Sequence, residues 1–213
     1  MRANQVKFHS FNLDALSAEG RGSVLSELGG LMQGGKVRML LHSIALGSVK
    51  VMAPVREEGA APAEGLAKRL QMPPSELQSA IDQEFETDSP ALSALATKPA
   101  YDSELLLGDE EMAETIFAMG TSLLTWTRDL FKRGLFAEDA RVVGLTSEGN
   151  EVAWHGYAAV SAAKAALEAV SRSIAREFAP YGIRSNIVQP GVTDTPALRL
   201  IPGNKHLAAK AKL

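Results

Sequence analysis

The chain has 213 residues, 46% of them apolar and 22% charged, with 22 basic side chains against 25 acidic ones and a formal charge of −3. That balance describes one ordinary folded domain, excludes a disordered chain, and offers no basic surface for nucleic acid or an anionic membrane. With no cysteine, disulfides and thiol chemistry are excluded. The four histidines, His9, His42, His155 and His206, are scattered without metal-ligand spacing, so no metal is expected.

The start, Met1 to Lys7, carries charge with no apolar run behind it, which is not a secretory leader. No stretch approaches the ~18 apolar residues of a membrane span, so the expected address is the cytoplasm. Val6 to Phe11 is a possible short strand. Ser17 to Gln33 reads as a helix, with Leu16, Val24, Leu25, Leu28 and Leu31 at helical spacing and Gly34-Gly35 as its stop. Val37 to Ala45 is a continuous apolar run of the length of a strand buried in a parallel sheet.

Residues 50 to 107 differ in character, holding six of the ten prolines (Pro54, Pro62, Pro73, Pro74, Pro90, Pro99). One helix is expected there from Ser75 onward, and the rest reads as an insertion or lid. Asp109-Glu110-Glu111 opens a long helix whose apolar stripe, Met112, Ile116, Met119, Leu123 and Trp126, runs up to Gly134. Arg141 to Thr146 is a second buried strand, Tyr157 to Phe178 an alanine-rich helix, and Ile183 to Val188 a third strand leading into Pro190-Gly191. The alternation of strand and helix predicts a right-handed α/β sheet.

The chemistry concentrates in the last third. Ser147 stands at the end of a buried strand, where open α/β sheets place their ligands. Tyr157 and Lys164 are seven apart, about two helical turns, so both project from one face. An ammonium beside a phenol favours the phenolate, which suits a tyrosine to proton transfer.

The run from Lys164 to Phe178, then Tyr181 to Gly191, resembles the catalytic helix and following strand of the short-chain dehydrogenase/reductase family. Ordinary members place the tyrosine four residues before the lysine, and here that position is Val160. The Tyr-x6-Lys spacing is similar to the divergent enoyl-acyl-carrier-protein reductases, as are Leu41-His42-Ser43-Ile44-Ala45 and Asp194-Thr195-Pro196-Ala197-Leu198, the last like their NADPH-dependent branch. The resemblance covers 36 to 48 and 109 to 203. It implies a Rossmann-like, doubly wound parallel sheet of three layers, α/β/α, over 1–213 as a single partial domain with an insertion at about 50–107.

The resemblance also implies roles. Tyr157 hydrogen-bonds the enolate oxygen, Lys164 holds the nicotinamide ribose and tunes the tyrosine, and Ser147, thirteen before Val160, lies beside the substrate oxygen. His42, Ser43 and Ile44 line the cofactor, Pro190, Gly191, Val192 and Thr195 wrap the nicotinamide amide and phosphates, and Asp14 follows a strand to reach adenine. The expected cofactor is NADPH, with NADH as the alternative. The expected substrate is an enoyl thioester on acyl carrier protein or coenzyme A, and the two long helices are expected to form a homodimer or homotetramer. A donor moved one helical turn, about 5 Å, suits an enolate oxygen several bonds from the carbon that takes hydride.

Three departures qualify this. The glycine-rich phosphate loop is absent, the usual last strand is absent, and residues 109 to 140 contain no asparagine. The first two predict a chain truncated at both ends and lacking the first strands and the last; the third agrees with the enoyl branch. The alternatives are a ketone or alcohol oxidoreductase of the same family, and a non-catalytic remnant serving as an oligomerisation module. Residue by residue, His42 has the bland alternative of a satisfied core histidine, and the alanines of 158–169 that of packing surface.

Overall fold

The computed structural model describes residues 7–56, 62–102 and 104–213. Three strands, β1 (Val37–His42), β2 (Phe136–Leu145) and β3 (Arg184–Val188), pair in parallel in the order β1-β2-β3. The register sets Leu40 against Val142, His42 against Gly144, and Leu145 against Val188. Each crossover is helical, as parallel pairing requires.

Helix α1 (Ala18–Leu31) starts where Ser17 accepts a hydrogen bond from the Gly20 amide at 2.9 Å. It ends where Gln33 and Gly34 turn left-handed (φ 49° and 90°). The first crossover from β1 to β2 closes with α4 (Asp109–Ile116) and α5 (Ser122–Lys132), and α6 (Ala158–Glu177) carries β2 into β3. Leu123 of α5, Ala140 and Val142 of β2, and Leu167 and Ile174 of α6 form the fully buried centre, with Leu40 and Ile187 packed against it. These side chains lie on one sheet face. The other presents Met39, Leu41 and Val188 to solvent at 60%, 53% and 47% exposure. The parallel Rossmann-like sheet expected from the sequence is formed, but the second helical layer is not found among the described residues.

Several elements differ from expectation. Residues 7–11 form no strand, and Val6 lies outside the described residues, as do the rest of the start (Met1 to Gln5) and Glu57-Glu58. The first strand ends at His42 rather than Ala45, because beyond it the chain leaves the sheet to cross the end of α4, where Ser48 N donates to Thr115 Oγ1 at 2.9 Å. The second strand begins five residues early, at Phe136. It does so through an irregularity in which Asp139 adopts φ 63° and its carboxylate accepts two bonds from Arg141. The long helix is interrupted by a π-turn at Phe117–Thr121, which shifts the phase of its apolar stripe.

The proline-rich stretch holds two helices, α2 (Pro62–Leu70) and α3 (Pro74–Glu86), and a 3₁₀ turn at Pro90–Ala94, where one helix was expected. Proline at the first turn of a helix costs no hydrogen bond, which reconciles the composition with the structure. Ala63, Ile81 and Ala96 form a small core of their own. The chain closes with the short α7 (Pro196–Arg199) and α8 (Asn204–Lys210). Helix α8 and its flanks pack on this module: His206 lies 4.8 Å from the Phe85 ring, and Lys205 and Lys212 pair with Glu86 and Asp88. No helix among the described residues is long and apolar enough to cross a membrane.

Candidate active site

The carboxyl ends of the three strands form one edge of the molecule. Ser43 and Ile44 leave β1 there, Thr146 and Ser147 leave β2, and Gln189 to Thr195 leave β3. Parallel pairing brings these loops side by side, and Thr146 N donates to Val188 O at 3.0 Å to fasten two of them.

Helix α6 begins at this edge. Tyr157 is the residue before its first turn, and it is half-buried against the cluster of Ala118, Met119, Val160 and Ala163, as are Ile44 and Val49. The ring also lies on Gly149, where a methyl group would sit 2.3 Å from Tyr157 Cε1 and 3.4 Å from Ser147 Oγ. Only glycine fits there, and the close approach brings tyrosine and serine to the same turn. Ser147 Oγ is buried and has no hydrogen-bond partner among the described residues, leaving a hydroxyl free to meet a ligand. Val160, at the position where ordinary relatives carry their tyrosine, is buried in the cluster beneath.

Lys164 reaches the end of β2 from two turns along α6, its Nζ donating to Leu145 O at 2.8 Å. It is 7% exposed, and burial holds its ammonium below the usual lysine range. His42 lies deeper still, at 4% exposure, so it stands in the core beneath the site. Ser122 donates to Ala118 O in the π-turn at 2.8 Å, so the 2.7 Å contact between Ser122 and His42 Nε2 makes that nitrogen the donor. Nδ1 is then a buried acceptor with no partner. Burial first, and the Lys164 charge second, push the imidazole down to about 4.

The remaining expected residues are exposed or half-buried. Ser43, Pro190, Gly191 and Val192 face solvent, and nothing approaches within 4 Å of the place a Gly191 side chain would occupy. Thr195 accepts from Leu198 N at 3.1 Å and so caps α7. No strand precedes Asp14 among the described residues. It accepts from Leu16 N at 2.9 Å in the turn that opens α1. The alanine-rich face of α6 is used within the chain: a methyl group on Gly120 of the π-turn would stand 2.6 Å from Ala163 O. Two residues went unread in the sequence. Ser122 orients His42, and Glu168 accepts from both Thr146 and Asn150 at 2.7 Å. Glu168 was signalled by spacing alone, four residues after Lys164 and on the same helix face. No group of three or more metal-ligating side chains is found among the described residues.

A parallel α/β sheet with a serine at a strand end and a tyrosine and lysine on the following helix is the layout of a short-chain dehydrogenase/reductase. Residues 79–212 match the family model described as enoyl-(acyl carrier protein) reductase, and the chain belongs to that family. It is 42% identical over 64 residues to 1-cyclohexenylcarbonyl-CoA reductase of Streptomyces collinus, covering 30% of this chain and 23% of that one. It is 29% identical over 120 residues to acetoacetyl-CoA reductase of an Acinetobacter species, covering 56% and 48%. The crystal structure of enoyl-[acyl-carrier-protein] reductase (NADH) from Aquifex aeolicus superposes with a TM-score of 0.54 at 22% identity, over 87% of this chain and 53% of that one. The chain thus spans at most about half the length of these relatives.

Proposed function

We propose that this chain carries the catalytic half of an enoyl-thioester reductase, taking a trans-2-enoyl group on acyl carrier protein or coenzyme A in fatty acid synthesis. The observation that carries the reading is the tyrosine seven residues before the lysine, with a buried valine at the intervening position. Tyr157 is the one phenol on this face of α6 and donates its proton to the enolate oxygen. Lys164, buried and held to the end of β2, is the amine that this reading pairs with the phenol. Ser147, with an unclaimed hydroxyl, orients the thioester oxygen.

A nicotinamide cofactor, when bound, supplies the hydride for the β-carbon. The unclaimed Ser147 hydroxyl, the exposed Ser43 and the open space at Gly191 fit its nicotinamide end, with Ile44, Pro190, Val192 and Thr195 around it. Lys164 holds the ribose. NADPH is the expected form because Asp194 to Leu198 is like the NADPH-dependent branch. Asp14 has no part in this reading. No strand followed by a glycine-rich loop and a helix is found among the described residues, so the pyrophosphate cradle is not part of what they offer. We read 1–213 as one partial domain, its 62–101 module a cover for the acyl chain, assembling in the cytoplasm as a homo-oligomer.

A second reading, a ketone reductase, is favoured by the 29% identity to acetoacetyl-CoA reductase. Fluorescence titration with NADPH and NADH, followed by turnover of matched 2-enoyl and 3-keto thioesters, separates the two. Enoyl turnover that Tyr157→Phe abolishes supports the first reading. Keto turnover alone establishes the second, and saturable binding of neither nucleotide removes both for this chain.

A further inference from the structure

The turn that carries Ser147 is held from outside by a carboxylate on α6. Thr146 closes the run out of β2, Ser147 follows, and a 3₁₀ turn at Glu148–Asn150 brings the chain back toward α6. Thr146 Oγ1 and Asn150 Nδ2 both donate to the same oxygen, Glu168 Oε1, each at 2.7 Å. One carboxylate oxygen thus fastens the residue before Ser147 and the last residue of the turn after it.

We infer that Glu168 is a positioning residue, whose Oε1 fixes the Thr146–Asn150 turn and thereby sets Ser147 Oγ beside the Tyr157 ring. The inference deepens the proposed function and rests on that reading of Ser147 and Tyr157. Three features make the turn dependent on this tether. Ser147 Oγ has no hydrogen-bond partner among the described residues, so the serine side chain does not hold the turn in place. The backbone bonds inside the turn are few: Glu151 N and Val152 N reach Glu148 O at 2.9 and 3.0 Å, and Asn150 N reaches Ser147 O at 3.5 Å. Gly149 in its middle lies so close to Tyr157 that a displaced turn displaces the ring. Helix α6 therefore holds the site twice, through Lys164 on Leu145 O before the serine and through Glu168 on the residues either side of it. Bonds to a charged acceptor are the stronger kind, and two on one oxygen define an angle as well as a distance.

Hydrogen–deuterium exchange on the whole chain tests this without requiring activity. Glu168→Gln keeps an acceptor oxygen in place, Glu168→Met keeps only the length and bulk, and Thr146→Val removes one of the two donors while leaving the carboxylate. The Glu151 and Val152 amides are expected to exchange about ten-fold faster in Glu168→Met, measurably faster in Thr146→Val, and within about three-fold of the unaltered chain in Glu168→Gln, with the β3 amides unchanged throughout. Turn protection in Glu168→Met equal to that of the unaltered chain overturns the inference, since bulk alone would then suffice. Equal acceleration in β3 also overturns it, because the residue would then serve general stability. Should Glu168→Met not fold, unchanged turn exchange in Thr146→Val overturns it. The kinetic arm expects kcat on an enoyl thioester to fall in Glu168→Met with the KM for NADPH unmoved, and to return in Glu168→Gln. If the unaltered chain turns over no thioester, the proposed function fails, and the exchange pattern still decides the role of Glu168.

Discussion

A neutral imidazole is the form His42 holds in the fold: its Nε2 proton is given to Ser122, and Nδ1 has no hydrogen-bond partner among the described residues. The unfolded chain binds that proton at an ordinary pKa of 6.5 and the folded chain only at about 4. Between those values the unfolded state holds more protons, so stability rises with pH across that window and is lost on acidification. The shift corresponds to roughly 3 kcal/mol, which urea midpoints at pH 7 and pH 4.5 would reveal and which His42→Gln should largely flatten. A pH slope unchanged by the substitution would place the acid sensitivity elsewhere. Gly149 supports a second expectation: Gly149→Ala forces the Tyr157 ring to move, costing about 1–3 kcal/mol and removing most of any Tyr157-dependent turnover while circular dichroism stays native. Of the residues around the site, Tyr157, Lys164 and Ser147 could be read from spacing, because spacing along a helix and at a strand end is a property of the sequence. His42 could not be assigned between cofactor wall and core, since both uses put a histidine at the same strand end. Its Ser122 partner lies on another element, and only the fold brings the two together.

At the scale of elements, one close approach between the 109–132 helical stretch and α6 is Gly120 against Ala163 O. Gly120→Ala has no room for its methyl group and should destabilise the chain by about 1–3 kcal/mol, read as a lower thermal midpoint. The three strands, α1 and α6 were legible because short apolar runs mark the strands, leucines at helical spacing mark α1, and an alanine-rich stretch closed by Pro180 and Gly182 marks α6. The module at 62–101 was half legible, because its buried positions are largely alanines (Ala63, Ala67, Ala96), which mark no apolar face. The π-turn was invisible for a related reason. It changes the phase of a stripe by one residue, and a stripe of Met112, Ile116, Met119 and Leu123 reads as helical with or without it.

At the scale of the whole molecule, the described residues give the sheet one covered face and one open one, with β1 an edge strand among them. Met39 and Leu41 together expose apolar surface of the kind that binds hydrophobic dyes and draws chains together. Replacing both with lysine should lower dye fluorescence and raise solubility with little change in the urea midpoint; a large drop in that midpoint would mean the face is covered in solution. The clamp between α8 and the 62–101 module has a consequence for how the chain is made. Asp88 and Lys212 are 124 residues apart, and Glu86 and Lys205 are 119 apart. During synthesis the module emerges well before α8 exists, and two of the three sheet strands, β2 and β3, leave the ribosome in between. Its small core must therefore wait, half-dressed, for a helix translated about 120 residues later, which makes it the part of the nascent protein most in need of a chaperone's shelter.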